Sequence, residues 1–146
     1  RDWLADTIQK YPGQMDVIVT PYTSRTKQLP EHSLFDTIAK CDVGFFGIKP
    51  FASNSLFKGN SAPGNPHAEE DDRTARLAIR YILCNPVITA PIPGMITEHQ
   101  VENVAKAVTE RRELDEAEKA ELEAASERMM ASLPRHYDFL RNWEYV

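Results

Sequence analysis

Three short apolar runs, each handed on to a helical segment, limit what this chain can become. Met15–Thr20 (MDVIVT) and Val43–Ile48 (VGFFGI) are β-branched and aromatic, and too short for buried helices. A third strand is expected over Val87–Ala90, within the apolar stretch Val87–Ile92. Helical patterns separate the runs. Asp2–Tyr11 carries Trp3, Leu4, Ile8 and Tyr11 at near-helical spacing, and Pro12-Gly13 stops it. Ser33–Cys41 has Ser33 as cap with Asp36 three residues on. Asp71–Cys84 presents Ala75, Leu77, Ala78, Tyr81 and Ile82 on one face before Asn85-Pro86 breaks it. Thr97–Thr109 is amphipathic through Val101, Val104 and Val108. Asp115 with Glu118 opens a helix that runs to about Ala131. The tail Leu133–Val146 holds Tyr137, Phe139, Leu140, Trp143 and Tyr145, a set expected to pack back onto the body.

The order α-β-α-β-α-β-α-α implies an α/β fold with a parallel sheet and crossover helices. Continuous apolar strands suggest burial on both faces. Three strands cannot close a barrel, and an open sheet this small leaves two apolar edges bare. The chain also opens on Arg1 rather than Met, already in a helical pattern, which suggests a piece of a longer protein.

Composition removes several functions. With 146 residues there is enough chain for one core. The net charge of -5 disfavours nucleic acid and anionic membrane as partners. No apolar run is long enough to span a bilayer, and no signal peptide is visible. Cys41 and Cys84 read as buried, reduced thiols of a cytoplasmic protein. His32, His67, His99 and His136 lack ligand spacing, so no metal site is expected, and His99 reads as solvent-facing. Glu69-Glu70-Asp71-Asp72 reads as acid complementing a helix dipole. Arg111-Arg112, flanked by Glu110 and Glu113, reads as a solvated helix end, and Met129-Met130 as packing. Gly59–His67 has no phosphate-loop spacing.

The segment from Ile92 to Asn103 points further. An apolar run ends on a glycine turn and enters a helix capped by Thr97, with Gln100 placed for a capping box. Unpaired N–H groups and the helix dipole at such a junction favour an anion.

Taken together, these residues resemble the C-terminal half of an aldo-keto reductase. Met15–Tyr22, ending in Pro21-Tyr22, resembles that family's sixth strand. Gly47-Ile48-Lys49-Pro50-Phe51 resembles the end of the seventh. Ala78-Ile79-Arg80-Tyr81-Ile82-Leu83 with Asn85-Pro86 resembles the helix leading to the eighth. Ile92-Pro93-Gly94-Met95 with Gln100-Val101-Glu102-Asn103 resembles the cofactor motif. The resemblance covers residues 1–146 as one partial domain, about strands six to eight of a (β/α)8 TIM barrel plus the C-terminal helices.

The resemblance implies an NAD(P)-dependent oxidoreductase with NADP or NAD as cofactor and, in the full-length protein, a small carbonyl substrate. The family's tetrad of Asp, Tyr, Lys and His lies on strands two to four, so no catalytic residue is expected here. Ile48 would flank the nicotinamide. Lys49 and Ser53, in the same loop as Phe51, would lie near the pyrophosphate. Gly94, Met95, Thr97 and Gln100 would surround the adenosine phosphate, with Asn103 beside adenine. Relatives that favour NADPH carry Lys-Ser after Ile-Pro, and Arg where Gln100 stands. A 2′-phosphate here would meet backbone N–H groups and a neutral amide. Two other readings compete: a non-catalytic α/β module that self-associates or pairs its strands with a partner chain, and half of another barrel enzyme that binds a phosphorylated substrate in the same loops.

Overall fold

A computed structural model of the chain describes residues 1–59 and 64–143. Helix α1 (Asp2–Lys10) leads into β1 (Val17–Pro21), α2 (Leu34–Lys40), β2 (Gly44–Ile48), α3 (Ala68–Leu83), β3 (Ala90–Ile92), α4 (Glu98–Thr109) and α5 (Glu116–Ser132). A 3-10 helix, Arg135–Trp143, follows. The strands form one parallel sheet in the order β1-β2-β3, with Val19 opposite Phe46, Phe46 opposite Ala90, and Ile48 opposite Ile92. This is the architecture of a partial (β/α)8 barrel.

Local chemistry accounts for the element ends. Ser33 accepts from Asp36 N at 3.0 Å and caps α2. At α5, Asp115 and Glu118 exchange side-chain and backbone bonds in a complete capping box. Gly47 lets β2 pass close to Tyr22, because a Cβ there would stand 3.0 Å from the tyrosine's own. The third strand begins later than the apolar pattern suggests. Asn85 accepts from Val87 N through its side chain and from Ile88 N through its carbonyl, holding Val87-Ile88 in a turn. Thr89 then bridges to Phe45, and regular pairing starts only at Ala90.

Because the strands lie in chain order, both crossover helices return to the same face of the sheet. There Ile8, Leu34, Phe35, Ile38, Phe45, Tyr22 and Ile82 form one core. A second core, around Leu56, Leu77, Leu122 and Met129, joins α3 to α4 and α5. Tyr81 packs against both. The expected burial on both faces is not seen: Val17, Val19 and Ile92 are 41%, 55% and 46% exposed. A continuous apolar run shows only that a strand has two apolar faces, and here the helices cover one. The uncovered face is the one that a closed barrel turns toward its axis.

Trp3 and Tyr11 point outward, while α1 buries Ile8 of the expected set together with Ala5. In α4 the inward residues are Asn103 and Ala107, not Val101 and Val108, because small Ala107 and the bonded Asn103 amide allow close approach to α3. Cys41 is half-buried and Cys84 exposed, both as free thiols at helix C-caps beyond the apolar faces. Tyr145 lies outside the described residues, whereas Leu140 and Trp143 do pack on the cores.

One buried ion pair locks α3 to α5. Arg80 donates to Glu118 through both terminal nitrogens, at 2.9 and 3.0 Å. That bond holds the Glu118 carboxyl below the usual carboxylate range. Stability from the pair is therefore full above the unfolded-chain value and is lost as pH falls through the lower folded-state value. Glu118→Ala should cost on the order of 3 kcal/mol at neutral pH, since it leaves a buried guanidinium with only the Glu113 carbonyl and a Glu110 carboxylate 3.7 Å away. Urea unfolding should show this deficit shrinking below about pH 4; a deficit constant with pH would contradict the assignment. The bare sheet makes a second prediction. The isolated chain should self-associate in sedimentation velocity, and Val19→Lys should reduce that association.

Candidate functional site

Parallel strands put all their C-terminal ends on one edge of the sheet, so the loops leaving β2 and β3 emerge side by side. Pairing of Ile48 with Ile92 sets their starting points about 4.8 Å apart. Two cavities open between those loops. One, of about 510 Å³, is lined by Ile48, Lys49, Phe51, Ser53, Gly94 and Gln100, among others. The second, of about 340 Å³, shares Phe51, Asn54, Gly94 and Gln100 with the first and adds Met95, Thr97 and Asn103. All nine residues singled out in the sequence therefore line this pair of cavities.

The β2 loop is bent hard. Lys49, Ala52, Ser53 and Asn54 all have φ between 45° and 70°, a left-handed region that costs energy for residues with a Cβ. The bends keep Phe51 and Ala52 in the core while Lys49, Ser53 and Asn54 face the cavity. Lys49 Nζ donates to Tyr137 Oη at 3.4 Å. Hydrogen bonds from Ser53 and Lys49 together pull the Tyr137 phenol below its usual pKa. Tyr137 comes from the C-terminal tail, which the sequence pattern marks only as packing.

The β3 loop is simpler. Thr97 caps α4 by accepting from Gln100 N at 3.2 Å. The Gln100 side chain accepts from Ile96 N at 2.7 Å, one residue earlier than a capping box requires. Two N–H groups at this helix end are thus already bonded, which weakens it as an anion trap. Gly94 has no left-handed φ, and a Cβ there would meet nothing within 4 Å. Neither backbone nor crowding calls for glycine, and the room it leaves opens into both cavities.

Asn103 is buried, with both ends of its amide bonded. Its nitrogen donates to the Asp72 carbonyl at 2.9 Å and its oxygen accepts from Arg76 at 2.6 Å. It fixes α4 on α3 and retains one N–H for the cavity. Apolar Phe51, Phe57, Ala75 and Val104 complete the walls, beside Asp71, Asp72 and His99. A flat apolar ring with polar edges suits such a lining, and a lysine at the neighbouring loop suits a diphosphate. The donor set fits an adenine dinucleotide. Among the described residues no group of three His, Cys, Asp or Glu side chains is placed to hold a metal, and no helix is long and apolar enough to cross a membrane.

No family model matches the sequence, and no curated protein matches it. Among solved structures the chain is similar to aldo-keto reductase AKR11C1 from Bacillus halodurans in its apo form, with a TM-score of 0.55 and 19% identity. The match covers 83% of this chain and 47% of the other, so the chain spans about half the length of the structure it matches. At that identity the likeness is one of fold.

Removing the ammonium from the cluster should raise the titration of Tyr137. Phenolate absorbance should show one tyrosine ionising early in the unaltered chain and later, though still assisted by Ser53, in Lys49→Met. Identical titration curves for the two proteins would show that Lys49 does not act on this phenol.

Proposed function

We propose that this chain is the cofactor-holding arc of an NAD(P)-dependent aldo-keto oxidoreductase. The observation that carries the reading is the pair of adjoining cavities at the ends of β2 and β3, walled by loops with the residue types that a dinucleotide needs. A bound nicotinamide cofactor would exchange hydride with the carbon of a small carbonyl substrate. This chain's residues bind and orient. Ile48 offers an apolar flank to the nicotinamide ring. Lys49 and Ser53 face the diphosphate, with Tyr137 holding the lysine in place. Gly94, Met95, Thr97 and Gln100 border the adenosine end, and Phe51 separates it from the nicotinamide end.

On this reading no catalytic acid or base comes from these residues; proton transfer to the substrate oxygen belongs to the preceding strands of a complete barrel. The reading places such an enzyme in the cytoplasm, with no nucleic acid or membrane as partner. The exposed apolar face of the sheet favours a second reading, a non-catalytic module that pairs with another chain.

Dinucleotide binding separates the two. Isothermal titration of the chain with NADH should show weak, saturable binding, reduced at least about tenfold by Gly94→Val, which would fill the shared wall of both cavities. Absence of binding, or binding indifferent to Gly94→Val, would remove the cofactor reading and leave the module.

A further inference from the structure

The acids that open α3 do more than meet a helix dipole. Asp71 and Asp72 stand in the wall of the smaller cavity, across from the turn at Gly94–Gln100. The Asp71 carboxylate accepts from Lys58 N, Gly59 N and the Asn65 amide at 2.8, 3.0 and 2.9 Å, which fastens the preceding loop to the helix. Asp72 is placed differently. Its Oδ2 meets His99 Nε2 at 2.6 Å, while its Oδ1 has no donor among the described residues. Asp72, a residue of the cavity wall, therefore carries one acceptor oxygen that no described donor occupies.

Charge decides what the edge accepts. The described residues of this wall include two carboxylates, one histidine, and no Lys or Arg. Even with His99 protonated the lining stays net negative. At the helix end opposite, Ile96 N and Gln100 N are already bonded to the cap, and Glu98 adds a further acid to the first turn of α4. A 2′-phosphate, with nearly two negative charges, would enter this edge without a cation to meet it. A ribose that keeps its 2′- and 3′-hydroxyls brings two donors and no charge, and a carboxylate is the usual acceptor for such a diol.

We infer that the chain selects the dinucleotide with free adenosine-ribose hydroxyls, NAD(H), over its 2′-phosphorylated counterpart, and that Asp72 is the residue that discriminates. This rests on the dinucleotide reading above. It assigns to Asp72 a role in specificity, with no part in the hydride step.

The test is a fluorescence titration of the chain with NADH and with NADPH at low salt. NADH should bind roughly tenfold or more tightly than NADPH. In Asp72→Asn that ratio should fall to about a third or less, chiefly through better NADPH binding. In the unaltered chain, raising salt to about 0.5 M should narrow the ratio as well. The salt series stands independently should Asp72→Asn fail to fold. Equal affinities, preference for NADPH, or a ratio indifferent to salt would overturn the inference and leave the cofactor site standing. Binding of neither nucleotide would overturn both.

Discussion

The parallel register between β2 and β3 decides where the two site loops emerge. With Ile48 opposite Ile92, two loops far apart in sequence leave the sheet as neighbours. Everything at the candidate site follows from that adjacency. The bent Lys49–Asn54 segment becomes one wall, the Gly94–Gln100 turn becomes the other, and the space between them is shared. Antiparallel pairing would send the two loops to opposite edges, and no common cavity could form.

The sheet that sets this register is itself only half supported. Helices α1, α2 and α3 cover one face with a closely packed core, and the other shows valine and isoleucine to solvent. An energetic asymmetry of this kind agrees with the fold comparison, in which the chain matches about half of a barrel enzyme. The Arg80–Glu118 pair and the Asn103 bridge fix α5 and α4 against α3. These bonds make α3 a common support for the smaller cavity's wall and for the C-terminal helices.

Much of this was legible in the sequence because it is local. Ser33 with Asp36, Asp115 with Glu118, and the runs MDVIVT and VGFFGI identify their elements through capping and β-branched content alone. The two site loops were legible for the same reason, since each follows directly from a strand. Long-range facts were not. Val101 and Val108 satisfy helical spacing, yet a stripe does not say which side a neighbour will cover. Asp72 reaches the site from 27 residues before His99, and Tyr137 from 88 residues after Lys49. Each looked complete in its local role, as helix-dipole acid or as tail packing. The start of β3 was obscured by a competition between apolar pattern and the hydrogen-bonding capacity of Asn85, which the turn won.

On the proposed reading, two loops joined by strand register act as one dinucleotide site. Two-dimensional amide NMR of the isotope-labelled chain during addition of NADH can follow both loops at once. Amides of Lys49–Asn54 and of Gly94–Gln100 should shift together along one binding curve, while those of α1 and α2 stay still. Shifts confined to one loop, or spread over the exposed face of the sheet, would contradict it.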